Sequence, residues 1–325
     1  MKKLALGMVA AAALAFSATA QAEIKIALDS PPDLNKSGTY VWAHNFTEAL
    51  KRAGLDAKEY ARNSLGEEAE RLDQVSQGLL EVSMSDVKQA GKIDKMIFGI
   101  YLPYLFENIA HVDRAAATGL LAKINTNLAK NGVRILALVS LGPAAGIFNT
   151  KKEIKTVGDM ASLRMRALDE HQIALYKTWG TTGTIVSWSE VPNALQTGVA
   201  DGYLNPSFVP LMFGHTDFIK FFTNAQLIPS TRLALASNDW YNGLSAGDRA
   251  KVDGAVAEAT KINRAWIIKQ EAVMLKDVAK AGIKVTELTP AARAEFVERS
   301  RQVWTKGALE ASKAKLWVEA ADKTR

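Results

Sequence analysis

The sequence predicts an α/β protein built as two lobes. Three patterns carry that prediction. Strand-like and helix-like stretches alternate from residue 23 onward, a segment around Gly78 is echoed around Gly198, and one late helical pattern is too long for a single small domain.

Taken in order, Glu23 to Leu28 ("EIKIAL") alternates apolar and polar residues and reads as a strand. The loop "DSPPDLNKSG" follows, then a helix pattern from Thr39 to Ala53 that stops at Gly54. Ser64 is positioned to cap the next helix, with Glu67 three residues on completing a capping box and Gly78 supplying the stop. "LLEVSMSD" then reads as a strand. The echo offers Ser189 as cap, Pro192 in the first turn and Gly198 as stop, before "VADGYLNP" enters a strand. In this alignment Gly78 matches Gly198, Glu81 matches Asp201, and Ser85 falls where Asn205 falls. Finally, Ser245 can cap a helix running towards Gly282, with apolar residues from Val252 to Val278 at helical spacing. Unbroken, it would be about 50 Å long and would serve both lobes as a spine; a break near Gln270 would make it two helices.

Composition bounds the function. Met1-Lys2-Lys3, the apolar run Leu4 to Phe16 and the Ala20-Gln21-Ala22 site together read as a secretory signal peptide over residues 1–22. The mature chain is then expected to be soluble and exported, with no direct membrane insertion. There is no cysteine, which excludes thiol catalysis, cysteine–zinc sites and iron–sulfur ligation. The chain holds 40 basic and 34 acidic residues; without Lys2 and Lys3 the balance is 38 to 34, a formal +4. That excess suits small anions, and no dense basic block suggests nucleic acid. The four histidines have no metal-ligand spacing, and Asp169 to His171 reads best as a polar helix start. No nucleophile elbow, phosphate loop or dinucleotide fingerprint is present, so no catalytic residue, cofactor or metal is expected.

"SLRMRALDE" (Ser162 to Glu170) poses the main chemical question. As a strand it turns Leu163 and Met165 to a core and Arg164 and Arg166 to the other face. The pair is either a solvated edge or an anion receptor.

Several segments together resemble one family, the solute-binding proteins of tripartite ATP-independent periplasmic (TRAP) transporters, DctP type. They are "NSLGEEAERLDQVSQGLLEVS", "LPYLFENIAH", "DMASLRMRAL", "WSEVPNALQTGVADGYLNP" and "SNDWYNGLS", spread in order over nearly all the mature chain. The resemblance implies a periplasmic location and a two-lobed periplasmic-binding-protein fold with a hinge and a long helix spanning both lobes. Residues 23–145 and 231–270 would form lobe I, and 146–230 and 271–325 lobe II. It implies that Arg166 clamps a ligand carboxylate, that Arg164 is a surface charge, that Asn205 hydrogen-bonds the ligand and that Trp188 lies beside it. A guanidinium suits the clamp because its planar donors fit both carboxylate oxygens. The echo adds Ser85 and Asp86 as the opposite wall.

Two departures shape the expected ligand. The family's second arginine is replaced in "GPAAGIFNTKK", around Gly146, and Leu204 stands where the family has a glutamate. A small, rather apolar monocarboxylate fits best, with sulfonates and zwitterions open. The expected partners are that organic anion and the membrane subunits of a TRAP permease. An exported hydrolase or isomerase is the alternative, and an amino-acid receptor with Asp86 facing the ammonium is a third reading.

Overall fold

The computed structural model describes residues 23–325; the signal-peptide expectation lies outside the described residues. The first sheet has the order β2-β1-β3-β10-β4, with β1 (Ile24–Ala27), β2 (Ala57–Tyr60), β3 (Val82–Ser85), β4 (Val133–Ser140) and β10 (Thr231–Ser237). The second has the order β11-β9-β5-β8-β6-β7, with β5 (Gly146–Asn149), β6 (Arg164–Ala167), β7 (Thr182–Ile185), β8 (Gly202–Asn205), β9 (Phe221–Asn224) and β11 (Lys284–Glu287).

The two sheets share a plan. In the first, β1 is parallel to β2 and β3, and β10 is antiparallel to β3 and β4. In the second, β6 is parallel to β7 and β8, and β5 is antiparallel to β8 and β9. β3 and β8 are therefore equivalent, and each follows a glycine with φ of +74° or +72°, Gly78 and Gly198. A left-handed backbone at both places explains why glycine recurs there. The acids that follow do the same task. Glu81 accepts from the backbone N–H of Lys25 at 3.0 Å, and Asp201 from that of Arg164 at 2.9 Å.

Helix α1 (Gly38–Arg52) packs Trp42, Phe46 and Leu50 into the first-lobe core. Gly38 has no room for a side chain, because a Cβ there would sit 2.2 Å from the Ser140 carbonyl oxygen. Helix α2 spans Glu68–Ser76 and corrects the capping expectation. The N-cap is Glu67, boxed with Glu70, while Ser64 donates to the Ala61 carbonyl at 2.7 Å in the preceding turn. Glu67 takes the capping position through its reciprocal box with Glu70, so the spacing of three was right and the register was three residues early. In the echo, the six-residue helix Val191–Gln196 starts after a 3₁₀ turn, Trp188–Glu190, so Ser189 is not its cap; Pro192 does lie in its first turn.

The helix Ala246–Lys280 is unbroken over 35 residues and capped by Ser245. Val252, Ala255 and Ala259 enter the first-lobe core, while Met274 and Val278 enter the second. Between them, buried Asn263 donates to the carbonyls of Gly38 (2.8 Å) and Ser140 (2.9 Å) and accepts from the Ser140 N–H (2.9 Å). Two further crossings, 141–145 and 225–230, run side by side: the Leu141 N–H donates to Ser230 and the Ala145 N–H to Ile228.

The end of the chain departs from the expected assignment of 271–325 to lobe II. Phe296 and Val303 pack in the second lobe, but Leu309, Ala314, Trp317 and Ala321 join the first-lobe core. Trp317 donates its indole N–H to the Met96 carbonyl at 2.8 Å. The last helix, Ala311–Lys323, thus crosses back because its apolar face fits the groove around Met96 and Val112.

Candidate ligand site between the lobes

A cavity of about 360 Å³ opens between the lobes, lined by both. Arg166, Trp188, Asn205 and Asp86 all line it. Alternation along β6 buries Met165 in the second-lobe core and turns Arg166 the other way. Arg166 is only 3% exposed. Its Nε donates to the Val186 carbonyl at 2.9 Å, and Trp188 lies against the guanidinium, 5.5 Å from ring centre to Cζ. The terminal nitrogens make no hydrogen bond to protein among the described residues. Burial lowers the Arg166 pKa, so water-poor surroundings leave this cation wanting an anion. Arg164 differs: its side chain is 57% exposed and pairs with Asp201 at 3.2 Å, as a surface charge. The two alternating arginines therefore differ: one is exposed and paired, the other buried at the cavity with its terminal donors open.

Asn205 ends β8 beside Gly146 of β5, and its amide makes no hydrogen bond to protein among the described residues. Trp188 is held edge-on by Tyr203 and Phe213, at 5.6 and 5.1 Å. Leu168, Leu204, Val209, Met212 and Phe213 complete an apolar wall from the second lobe. The departure around Gly146 has a steric basis. A Cβ at Gly146 would meet the Phe222 ring at 2.4 Å, and the neighbour that faces the cavity is Ala145.

The first-lobe wall is charged, and most of it was not visible in the sequence. Arg232, on β10, donates from Nε to Asp29 at 2.9 Å and from Nη1 to Asp86 at 2.9 Å, and it pairs with Glu68 of α2. Burial alone would raise the Glu68 pKa, but Arg232 and Arg71 outweigh it and bring it to about 2. Asp86 goes the other way: burial and the neighbouring Glu68 charge push it up against the pull of Arg232. Arg71, buried behind the wall, holds Gly66, Ser83 and Met84 by hydrogen bonds of 2.9 to 3.0 Å. Both oxygens of Asp86 are engaged, one by Arg232 and one as the cap of Val87–Gly91 through the Lys88 N–H.

Ser85 is a correction. It is fully buried and absent from the cavity lining, and its hydroxyl meets that of Ser83 at 3.0 Å. Ser83 and Ser85 share the strand face covered by α2 and Arg71, so the position equivalent to Asn205 points away from the cleft. The sheet equivalence does identify Arg232. It precedes Leu233, the partner of Ser85, as Ala145 precedes Gly146, the partner of Asn205. Asp29, Gln89 and Ser230 also line the cavity and were missed.

Comparison with known proteins places this geometry in context. A solute-binding protein of Verminephrobacter eiseniae is 28% identical over 76% of this chain and 74% of its own. The ectoine/5-hydroxyectoine-binding periplasmic protein of Ruegeria pomeroyi is 25% identical over 92% and 90%. Among solved structures, a TRAP periplasmic solute-binding protein of Chromohalobacter salexigens superposes with a TM-score of 0.82 at 18% identity, covering 93% of this chain and 99% of that one. Such likeness establishes the two-lobed fold. The model of bacterial extracellular solute-binding protein family 7 (DctP) matches residues 34–310, and the chain belongs to that family.

Proposed function

We propose that this protein is the periplasmic receptor of a TRAP transporter. It captures a small organic anion by closing its lobes on it and delivers it to the membrane permease subunits. Residues 1–22 act as its export signal. Arg166 carries the reading: a buried guanidinium with its terminal donors unspent, at a cavity between two lobes that the chain crosses several times. A carboxylate on those donors would form two charge-assisted hydrogen bonds in a site poor in water. Asn205 adds a polar contact and Trp188 an apolar face. The lobes hinge at the crossings 141–145 and 225–230, with the long helix as the common element.

The relatives agree with an acid ligand. The names of two of them specify ectoine and C4-dicarboxylates, and one structural neighbour holds d-glucuronate; each of these compounds bears a carboxylate. The test is mass spectrometry of ligand released from protein purified from its native periplasm, followed by return of that compound to stripped protein. An organic acid should be found, and at a hundred times its Kd it should stabilise the fold by about 2.7 kcal/mol. Recovery of a ligand with no anionic group would overturn the proposal.

A further inference from the structure

The first-lobe wall asks for something a plain acid cannot supply. Asp29 is buried, and while its Oδ2 serves Arg232, its Oδ1 has no hydrogen-bond partner. Gln89 Oε1 and Ser230 Oγ, on the same cavity, are likewise buried and unpartnered. A buried carboxylate oxygen is an acceptor only, so it needs a donor from whatever fills the cavity. Charge points the same way. Asp29, Glu68 and Asp86 share Arg232, with Arg71 behind them. On this wall three carboxylates therefore face two guanidiniums, a surplus of one negative charge, while Arg166 on the other wall makes no ion pair among the described residues. A ligand with a carboxylate for Arg166 and a cation for this wall offsets both, and burial penalises any charge left unmatched.

We infer that the ligand is a zwitterion: its carboxylate sits on Arg166 and an N–H cation, ammonium or amidinium, sits against Asp29 Oδ1 on the opposite lobe. This rests on the anion-receptor reading of Arg166 and goes beyond it. It also gives closure a cause, because the two ends of one ligand then engage one lobe each, and the ligand is fully paired only when the lobes meet. The apolar second-lobe wall takes the carbon skeleton between the charged ends.

The test is calorimetric titration of stripped protein with matched chains: 4-aminobutyrate and 5-aminopentanoate, the hydroxy acids of the same length, the fatty acids of the same length, and the N-trimethylated amino acids. The N–H zwitterion should bind at least tenfold more tightly than the other three at one chain length. The trimethylated compound keeps the charge and lacks the donor, so its loss of affinity reports the Asp29 hydrogen bond. D29N should lower the preference for the amino acid over the fatty acid by at least tenfold. Gln89→Leu, which leaves the Arg232 ion pairs in place, should lower it too, and circular dichroism establishes that each variant is folded. A preference for the fatty acid or hydroxy acid overturns the inference but leaves the receptor reading standing if Arg166→Ala removes that binding. Equal binding of every acid by Arg166→Ala and the parent protein overturns both.

Discussion

The two walls of the cavity solve opposite problems. The second lobe holds one cation, Arg166, among apolar side chains and leaves its terminal donors open. The first lobe gathers Arg232 and three carboxylates into an ion-pair cluster. Both arginines are buried, yet one keeps its terminal nitrogens open and the other spends them on the fold. Burial and charge alone do not separate the two; the fate of the terminal nitrogens does.

Several substitutions can break or sharpen that contrast. The largest effect on stability is expected from Arg232→Ala. Three buried carboxylates would lose their counter-ion, and breaking such a cluster costs about 3–5 kcal/mol. Urea denaturation should show the loss; a change under 1 kcal/mol would mean the cluster is spent on something other than the fold. Acid should act on the same cluster. Glu68 has its folded pKa depressed to about 2, so its stabilising share is complete above about pH 5 and fades as pH falls from about 4 towards 2. Glu68→Gln should flatten the pH–stability curve in that window, and an unchanged acid limb would contradict the pairing.

Arg166→Ala should do the reverse, leaving stability nearly intact while costing about 2–5 kcal/mol of binding, or roughly thirty-fold to several thousand-fold in affinity. Calorimetry with the released native ligand measures it. Asn263→Ala ranks next. It removes four hydrogen bonds at the spine, one of them accepted from Arg264, and strands the Ser140 N–H, for about 1–3 kcal/mol. Thermal unfolding should show it; an unshifted midpoint would mean that water replaces the amide. Arg164→Ala should be smallest, within about 1 kcal/mol in stability and silent in binding, because the pair is exposed on its cationic side. An effect on affinity equal to that of Arg166→Ala would erase the distinction between the alternating arginines.

Much of this was legible in the sequence. The alternation in β6 separated core residues from arginines, and Ser245 with its periodic apolar residues marked the spine. Gly78 and Gly198 announced two lobes of one plan because a left-handed turn leaves a mark that local reading can find. Choosing Arg166 over Arg164 required the resemblance, since periodicity treats them alike. The first-lobe wall was illegible for a different reason. Asp29, Glu68, Asp86 and Arg232 come from four segments up to 203 residues apart, and no local pattern joins them. Ser85 failed because the echo gives sheet position, whereas α2 and Arg71 decide which strand face is covered.

A crystal structure of the protein with its native ligand decides which arginine holds the acid. A ligand carboxylate is expected on both terminal nitrogens of Arg166, at about 2.7–2.9 Å, with Arg232 still held by Asp29, Glu68 and Asp86. A carboxylate bound instead by Arg232, with Arg166 turned away or paired within the protein, would contradict it.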